Sequence, residues 1–391
     1  MVETLVADLE VSIVIPCLNE AETITACVIE AREALQEAGI AGEIIVADNG
    51  STDGSQVLAE LAGATVVTIP EKGYGSALQG GIARASGSYI LMGDADGSYN
   101  FKELDRFMSH LRTGDDLVMG CRMPKGGGLI KPGAMPWLHR RVGNPVLTGI
   151  GKLFFKAPID DFHCGLRAFR ADAIRALNLR TTGMEFASEM VVKATLADYK
   201  VSQVPVTLSP DKRSRKPHLR SWRDGWRHLR FLLLYSPRWL FLYPGIFLFV
   251  VGLLGFLALL PGPLTLGTVT FDTNTLLLSS LAIIVGFQVT VMYVFARAYS
   301  TSVGLLPPDP AIKKLLDGKP AECGIAIGIL FIFSGIGLII YALLVWKAAG
   351  FGRLSYPDSL RIIIPGITAV GLGVQASFAG FILAILGVKF K

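Results

Sequence analysis

Asp94 and Asp96 stand one residue apart in GDADGS, directly after the apolar run YILM. Successive residues of an extended chain point to opposite faces, so two such carboxylates cannot both lie against a core, whereas in a loop they converge on one ligand. Buried without partners they would destabilise the fold or take up protons, and a divalent cation relieves both problems. Oxygen donors favour Mg2+ or Mn2+, ions that keep waters and recruit phosphate oxygens to fill their shell. The pair therefore reads as a seat for a metal and a diphosphate; the bland alternative for any Asp-x-Asp is a solvated turn.

Other polar residues gather in comparable places. Asp48 closes the run EIIVADN, where a carboxylate can accept hydrogen bonds from a ribose or a base edge; with Asn49, Gly50 and Ser51 it could equally close a turn or cap a helix. In EKGYGSA, Gly73 and Gly75 permit close backbone approach and Lys72 can meet a phosphate. The loop PCLNEAET lacks G-x-G-x-x-G and no segment reads G-x-x-x-x-G-K-[ST], which argues against a dinucleotide dehydrogenase and a P-loop kinase. Glu185 and Glu189 lie one helical turn apart in TTGMEFASEMVVKA, on a ligand or on a capped amphipathic helix, and Asp160 and Asp161 have the same double reading. Five cysteines (Cys17, Cys27, Cys121, Cys164 and Cys323) form neither a metal-ligand spacing nor a disulfide framework, and Cys164 reads as a small core residue.

The elements that must position these groups alternate in type. VSIVIPC, EIIVADN, TVVTIP, YILM and DLVMGC are short apolar runs, and helical patterns separate them. The first such helix carries Asn19 and Glu22 at capping-box spacing and Gly39 at its end. This alternation predicts an α/β domain with a mostly parallel sheet, ligands binding at the carboxyl ends of the strands. The polar clusters at Asn19 and Glu20, Asp48 and Asn49, Lys72 and Gly73, and Asp94 and Asp96 fall at such ends.

The second half is different in kind. Of 391 residues 51% are hydrophobic and only 18% charged, too apolar for an ordinary soluble enzyme, and the apolarity collects in four runs, 239–260, 276–296, 324–346 and 362–388. Each reaches the roughly 20 residues a helix needs to cross a bilayer. The predicted plan is a catalytic domain over 1–210, a basic juxtamembrane segment over 211–238 and an all-α domain of four transmembrane helices over 239–391. Residues 1–11 are polar and acidic, without a cleavable signal. Arg297, Lys313, Lys314 and Lys319 between the second and third runs, Lys389 and Lys391 after the fourth, and a first loop without Lys or Arg favour the cytoplasm for both termini and the catalytic half, a modest bias because residues 347–361 carry three basic residues of their own. A bacterial inner membrane is expected on general grounds. The net charge of +5 comes from residues beside the membrane, which points to anionic lipid and away from nucleic acid.

Taken in order, VSIVIPCLNE, ADNGSTDGS, KGYGSAL, GDADGS, GCR and DFHCGLRAF resemble a family 2 glycosyltransferase of the GT-A fold, nearest to the polyprenyl-phosphate sugar synthases of the dolichol-phosphate mannose or glucose and undecaprenyl-phosphate type. The resemblance implies that Pro16, Asn19, Glu20, Asp48, Asn49, Lys72, Gly73 and Asp94 bind the nucleotide sugar, and that Asp94 and Asp96 hold Mg2+ or Mn2+. It implies further that Arg122, Arg140, Lys212, Arg213 and Arg215 meet the acceptor phosphate, with Asp94, Asp96 and Arg122 as the catalytic set. The acidic helix of Glu185 and Glu189 lies beside the sugar in relatives. Several relatives carry Gln two residues after the second Asp where this chain has Ser98, which leaves a third protein ligand of the metal without a candidate.

Two basic and apolar stretches adjoin the membrane half. From Leu219, Trp222, Trp226, Leu229 and Leu233 recur at helical spacing with Arg223, Arg227 and Arg230 beside them, an interfacial helix whose arginines read first as a membrane anchor. Residues 131–155 read as a second membrane-resting helix. The expected partners are a nucleotide-diphosphate sugar, a polyprenyl phosphate, the membrane and a second copy of the chain in a homo-oligomer. The expected reaction is inverting hexosyl transfer from UDP-glucose or GDP-mannose. The acceptor phosphate, with a second pKa of about 6, is already largely anionic and needs no strong base. A processive polysaccharide synthase would require Gln-x-x-Arg-Trp, where LYSPRW has Tyr235; a non-catalytic scaffold or lipid-linked-sugar translocase would not need the acid pair.

Overall fold

The computed structural model describes residues 9–214 and 221–387. Arg215, Leu219, Lys389 and Lys391, named above, lie outside the described residues. The chain divides into two compact units, Met1–Leu232 and Leu233–Lys391.

In the first unit the elements run β1 (Val11–Cys17), α1 (Ile24–Glu37), β2 (Gly42–Asp48), α2 (Ser55–Leu61), β3 (Thr65–Thr68), α3 (Tyr74–Arg84), β4 (Tyr89–Met92), α4 (Leu104–Arg112), β5 (Leu117–Cys121) and β6 (Leu129–Ile130). They continue with α5 (Asn144–Phe155), β7 (Arg167–Arg170), α6 (Ala171–Ala176), α7 (Phe186–Leu196), β8 (Val201–Pro205), β9 (Thr207–Leu208) and α8 (Ser221–Leu234), the last reaching the unit boundary. Seven strands form one sheet in the order β3-β2-β1-β4-β7-β5-β8. All neighbours are parallel except β7, which runs antiparallel to both β4 and β5. β7 comes from RAFR, which shows no turn signal and no alternation that would set it apart from its surroundings. The expectation of a mostly parallel sheet holds, with this one strand unforeseen.

The apolar runs become strands because both faces of the sheet are covered. Val11, Ile13 and Ile15 alternate onto the face packed by Cys27, Val28 and Ala31 of α1 and by Phe107 and Leu111 of α4, all buried. β1 pairs β2 with Cys17 opposite Asp48, and β4 with Val14 opposite Met92. That register brings the carboxyl ends of three strands, and so Leu18–Glu20, Asn49 and Asp94–Asp96, to one edge.

The capping box does not form. Asn19 sits at φ 57° and its side chain accepts a hydrogen bond from Thr52 N (2.8 Å), while the first turn of α1 is capped by the carbonyl of Glu20, which accepts from Ile24 N at 2.9 Å. Glu22 accepts from Ser214 N at 2.8 Å. Asn19 thus ties the first loop to the loop after β2, a long-range use that local spacing does not announce.

The second unit holds α9 (Tyr243–Leu259), the hairpin β10 (Leu264–Leu266) and β11 (Val269–Phe271), α10 (Thr273–Ser302), α11 (Pro310–Asp317), α12 (Pro320–Ala348) and α13 (Tyr356–Gly387). Four helical stretches, Arg238–Leu259, Thr273–Ser302, Pro320–Ala348 and Tyr356–Gly387, are long and apolar enough to cross a membrane, matching the four runs read from the sequence. Apolar solvent gives helices no reason to associate, so they pack through small residues. A Cβ on Gly328 would lie 2.6 Å from the Gly373 carbonyl, and one on Gly373 equally close to that of Gly328, so α12 and α13 touch backbone to backbone. Polar links join α10 to α13: Ser280 Oγ and Thr368 Oγ1 at 2.6 Å, and an Arg361–Asp272 ion pair at the helix ends.

Candidate active site

At the end of β4 the two carboxylates line one cavity but take different partners. Asp94 turns toward α3, where Tyr74 OH donates to its Oδ1 at 2.9 Å. Asp96 receives Ser98 N on Oδ1 (2.9 Å) and the Arg213 guanidinium on Oδ2 (2.9 Å). Arg213 also donates to Glu20 Oε1 at 3.0 Å, and Lys212 N donates to the Asp96 carbonyl at 3.1 Å. The segment 211–214 is thereby strapped across the acid loop. Burial and the neighbouring Asp96 push the Asp94 carboxyl up to about 6, against the Tyr74 hydrogen bond and the charges of Arg122 and Arg213. Two hard oxygen donors, one held far from its ordinary acidity for want of compensating charge, suit a divalent cation. The guanidinium of Arg213 supplies positive charge at the same place. Ser98 is buried, and among the described residues no cluster of three His, Cys, Asp or Glu side chains offers a complete ligand set, so waters and phosphate oxygens would have to finish the shell.

Around the pair opens a cavity of about 600 Å3, lined by Pro16, Glu20, Asn49, Lys72, Gly73 and Tyr74, by Asp94 and Asp96, by Gly183 and Met184, and by Arg213, Arg223 and Arg227. Its size suits a nucleotide sugar. Asn49 builds one wall: its Nδ2 donates to the Glu71 carbonyl (2.7 Å), its Oδ1 accepts from Gly73 N (2.7 Å), and its own carbonyl accepts from Lys72 Nζ (2.7 Å). Gly73 has φ +137°, and a Cβ there would lie 2.1 Å from the Thr182 carbonyl, so only glycine fits. The carbonyl of Thr182 accepts from Gly75 N at 2.9 Å, joining the loop before α3 to the loop before α7.

Residues 12–177 match the family described as Glycosyl transferase family 2, and residues 294–387 match the Glycosyltransferase family 2 C-terminal transmembrane region. The low-salt glycan biosynthesis hexosyltransferase Agl6 of Haloferax volcanii is 37% identical over 380 residues, 96% of this chain and 89% of that protein. The chain belongs to glycosyltransferase family 2. Glycosyltransferase AglJ of the same organism is 33% identical over 216 residues, 55% of this chain and 68% of its own. Among solved structures, glucosyl-3-phosphoglycerate synthase from Mycobacterium tuberculosis, crystallised with Mn2+, uridine diphosphate and glucosyl-3-phosphoglycerate, aligns with a TM-score of 0.45 at 20% identity, over 58% of this chain and 78% of that one. That likeness is too distant to carry ligands over to this chain.

In this family 2 glycosyltransferase Pro16, Glu20, Asn49, Lys72, Gly73, Asp94, Asp96 and Arg213, all candidates from the sequence, line one cavity of the GT-A domain. Other candidates lie elsewhere. Asp48 is fully buried and does not line the cavity; its carboxylate is taken up by Gly50 N (2.9 Å), Ser51 N and Gln56 Nε2 (2.6 Å), so it closes a turn, the alternative its position left open. Burial opposes its charge, but the bonds from Ser51, Gln56 and Gly50 prevail and hold it below the usual carboxylate range. Arg122 is buried off the cavity lining, gripped by Asp161 through Nε (2.7 Å), Nη2 (2.8 Å) and its backbone N (3.0 Å), with Nη1 on Tyr99 OH. Arg140 lies in a helical turn ahead of α5, and neither it nor Lys212 or Asn19 lines the cavity; the Lys212 side chain packs over Gly97.

The acidic helix divides its labour. Glu189 is fully buried, paired with Lys193 Nζ at 2.8 Å and accepting from Thr181 N, Thr181 Oγ1 and Arg180 N. It therefore fixes the loop that holds Thr182 against Gly73, and in this structure it does not reach the cavity. Asp160 sits in a half-exposed pair with Lys152. Cys164 is buried, its thiol pushed up to about 12 by burial, and cannot serve as a nucleophile.

Three contributors were not read as site residues from the sequence. Tyr74 was passed over inside the glycine loop. Arg223 and Arg227 were read as a membrane anchor, yet α8 turns both toward the acid pair. Their i, i+4 spacing is shared by a membrane anchor and a site, so it could not separate the two.

Proposed function

We propose that this glycosyltransferase moves a hexose from a nucleoside-diphosphate sugar to the phosphate of a membrane polyprenyl phosphate, with inversion. The observation that carries the reading is the convergence of an acid pair and three arginines, Arg213, Arg223 and Arg227, on one cavity, the last two on the helix that leads toward the first transmembrane span. Acids alone would serve a diphosphate and its metal; arginines opposite them suit a second anionic substrate.

Asp94 and Asp96 would hold Mg2+ or Mn2+, which when bound neutralises the diphosphate and eases its departure. Asn49, Lys72 and the backbone of Gly73 receive the nucleotide, while Tyr74 keeps Asp94 turned toward the cavity. Arg223 and Arg227 receive the acceptor phosphate, whose oxygen attacks the anomeric carbon as the bond to the diphosphate oxygen breaks and the nucleoside diphosphate leaves with the electron pair. The arginines screen the repulsion between two anions, the main barrier when the nucleophile is already ionised. Arg122 and Asp161 then act from beneath, as a rigid floor under Tyr99. The catalytic unit works on the cytoplasmic side.

The test is transfer of label from UDP-glucose or, separately, GDP-mannose to polyprenyl phosphate in membranes containing the protein, with Mn2+ or EDTA. A metal-dependent, acid-labile glycolipid lost in the Asp94→Ala, Asp96→Ala double variant supports the reading. No lipid product from any nucleotide sugar, with the protein folded, overturns it in favour of a non-catalytic membrane role.

A further inference from the structure

The motif DFHCGLRAF leads into β7, the antiparallel strand of the main sheet, and the transferase reading gives it no task beyond holding Arg122 through Asp161. The register of β7 on β4 pairs Met92 with Arg167; continued by two residues, it sets Gly165 opposite Asp94. Direct neighbours across an antiparallel pair carry Cβ atoms about 4.5–5.5 Å apart, so a side chain at 165 would meet the Asp94 carboxylate. Gly165 brings none. A Cβ built there would lie 2.5 Å from Asp94 Oδ2 and 3.2 Å from Tyr99 OH. Its φ is not positive, so the glycine is needed for space and not for backbone freedom.

This seat is held from below. Gly165 N donates to Tyr99 OH at 2.8 Å, and the same oxygen accepts from Arg122 Nη1 at 3.3 Å, with Arg122 in turn gripped by Asp161. All four residues are buried. On the other side of the carboxylate Tyr74 OH occupies Oδ1 at 2.9 Å, while among the described residues nothing donates to Oδ2. Two tyrosines thus turn Asp94: one bonds Oδ1, and the other props the backbone against which Oδ2 lies. We propose that Gly165 and Tyr99 are positioning residues that present Asp94 Oδ2 to the divalent cation.

The inference rests on the reading that Asp94 and Asp96 hold that ion. Mg2+ demands near-ideal octahedral geometry, so an oxygen offered in one place binds it better than one free to swing. Gly165 and Tyr99 are neutral, so they orient the carboxylate without competing with the ion for its charge, as Arg213 does at Asp96. Groups that orient a ligating side chain typically change metal affinity by about 10–100-fold.

The test is Mn2+ binding to the full chain in detergent, followed by electron paramagnetic resonance, beside the thermal midpoint of the metal-free protein. In Gly165→Ala the new methyl meets the free end of a side chain, so Asp94 swings aside and the fold survives. The expected result is a midpoint near that of the wild type with Mn2+ bound about 10–100-fold more weakly. Gly42→Ala is the control for packing damage: its Cβ would lie 2.7 Å from the Val11 carbonyl, at the amino ends of β1 and β2, so the midpoint should fall while Mn2+ affinity stays. Tyr99→Phe keeps the ring, strips Gly165 N of its acceptor and should weaken Mn2+ binding in the same direction. Wild-type affinity in folded Gly165→Ala overturns the inference, and so does wild-type affinity in Tyr99→Phe if Gly165→Ala fails to fold. Mn2+ bound no more weakly by the Asp94→Ala, Asp96→Ala double variant than by the wild type would instead remove the metal reading beneath it, and the inference with it.

Discussion

Arg122 entered as a candidate for the acceptor phosphate, and the structure gives it another occupation that can be measured. Its guanidinium and backbone N make three hydrogen bonds to Asp161, and the two side chains are 10% and 0% exposed. Asp161→Asn keeps the shape and removes the charge. Breaking one partner of a buried pair costs about 3–5 kcal/mol, because the other is left uncompensated. For a unit of this size each kcal/mol shifts the midpoint by roughly 2–4 °C, so the catalytic unit should melt about 6–20 °C lower. The neighbouring Asp160→Asn is the control: its partners Lys152 and Lys125 are 38% and 77% exposed, and such pairs contribute less than about 1 kcal/mol. Calorimetry of the full chain in detergent reads both shifts. Asp161→Met with Arg122→Met should then recover most of the lost stability, since an apolar pair of similar volume removes the buried charge altogether. Transfer measured on that double variant separates the roles. Retained turnover makes Arg122 a structural floor, whereas restored stability with lost turnover returns it to the acceptor. Equal, small shifts in Asp160→Asn and Asp161→Asn would refute the argument.

The remaining predictions concern the acid loop. Asp94 stands near 6, above its ordinary 3.8, so it takes up a proton as the pH falls through that value and metal must then compete for it; Mn2+ affinity followed by electron paramagnetic resonance should be flat above about pH 7 and fall toward tenfold per unit below 6. Tyr74→Phe removes a bond that favours the charged form and should move that break upward; affinity unchanged between pH 7 and 5 in both proteins would contradict the assignment. Arg213→Gln frees Asp96 and Glu20, so Mn2+ should bind more tightly without nucleotide while transfer falls by about tenfold or more; weaker metal binding would mean that Arg213 supports the site and does not compete for it. Gly73→Ala forces a Cβ into the Thr182 carbonyl at positive φ and should cost at least ~2 kcal/mol and most of the nucleotide affinity, read by thermal shift with and without UDP or GDP; a neutral change would refute the packing.

How much of this could be read from the sequence depended on how local the cause was. Strands β1, β2, β4 and β5 are continuous apolar runs between turn residues, and the four spans are set by length alone, so both survive without knowledge of neighbours. β7 is chosen by what flanks it: Arg167 pairs Met92 on one side and Met119 on the other, a choice made by β4 and β5 and not by RAFR. Asn19 and Glu22 satisfy a capping rule locally, yet Thr52 and Ser214, over thirty and nearly two hundred residues away, offer them better partners.

The same distinction governs the site. Asp94, Asp96, Gly73 and Lys72 stand out in the sequence because each sits in a short loop directly after an apolar run, although the groups that hold them, Tyr74, Arg213, Asn49 and Thr182, come from elsewhere in the chain. Asp48 and Glu189 look alike from the sequence as ligand-ready carboxylates, and their fates were decided by donors: two bonds from the turn after β2 and one from Gln56 of α2 take one, Lys193 and the loop at Thr181 take the other. Arg223 and Arg227 pose the converse case. An arginine stripe beside tryptophan and leucine on a helix is written identically whether it rests on headgroups or faces a cavity, because both need cations on one side and apolar surface on the other. What separates them is which residue anchors the helix. His228, the next residue after Arg227, bonds Ser188 of α7 through Nδ1 at 2.9 Å and packs edge-on against His163 at 4.6 Å. A helix held at that point has its rotation fixed, and the arginines within the preceding turn and a half are carried to the acid pair. In a lipid anchor the corresponding position has no reason to bury a histidine, so the polar residue set into such a stripe, more than the arginines themselves, marks the helix as part of a site.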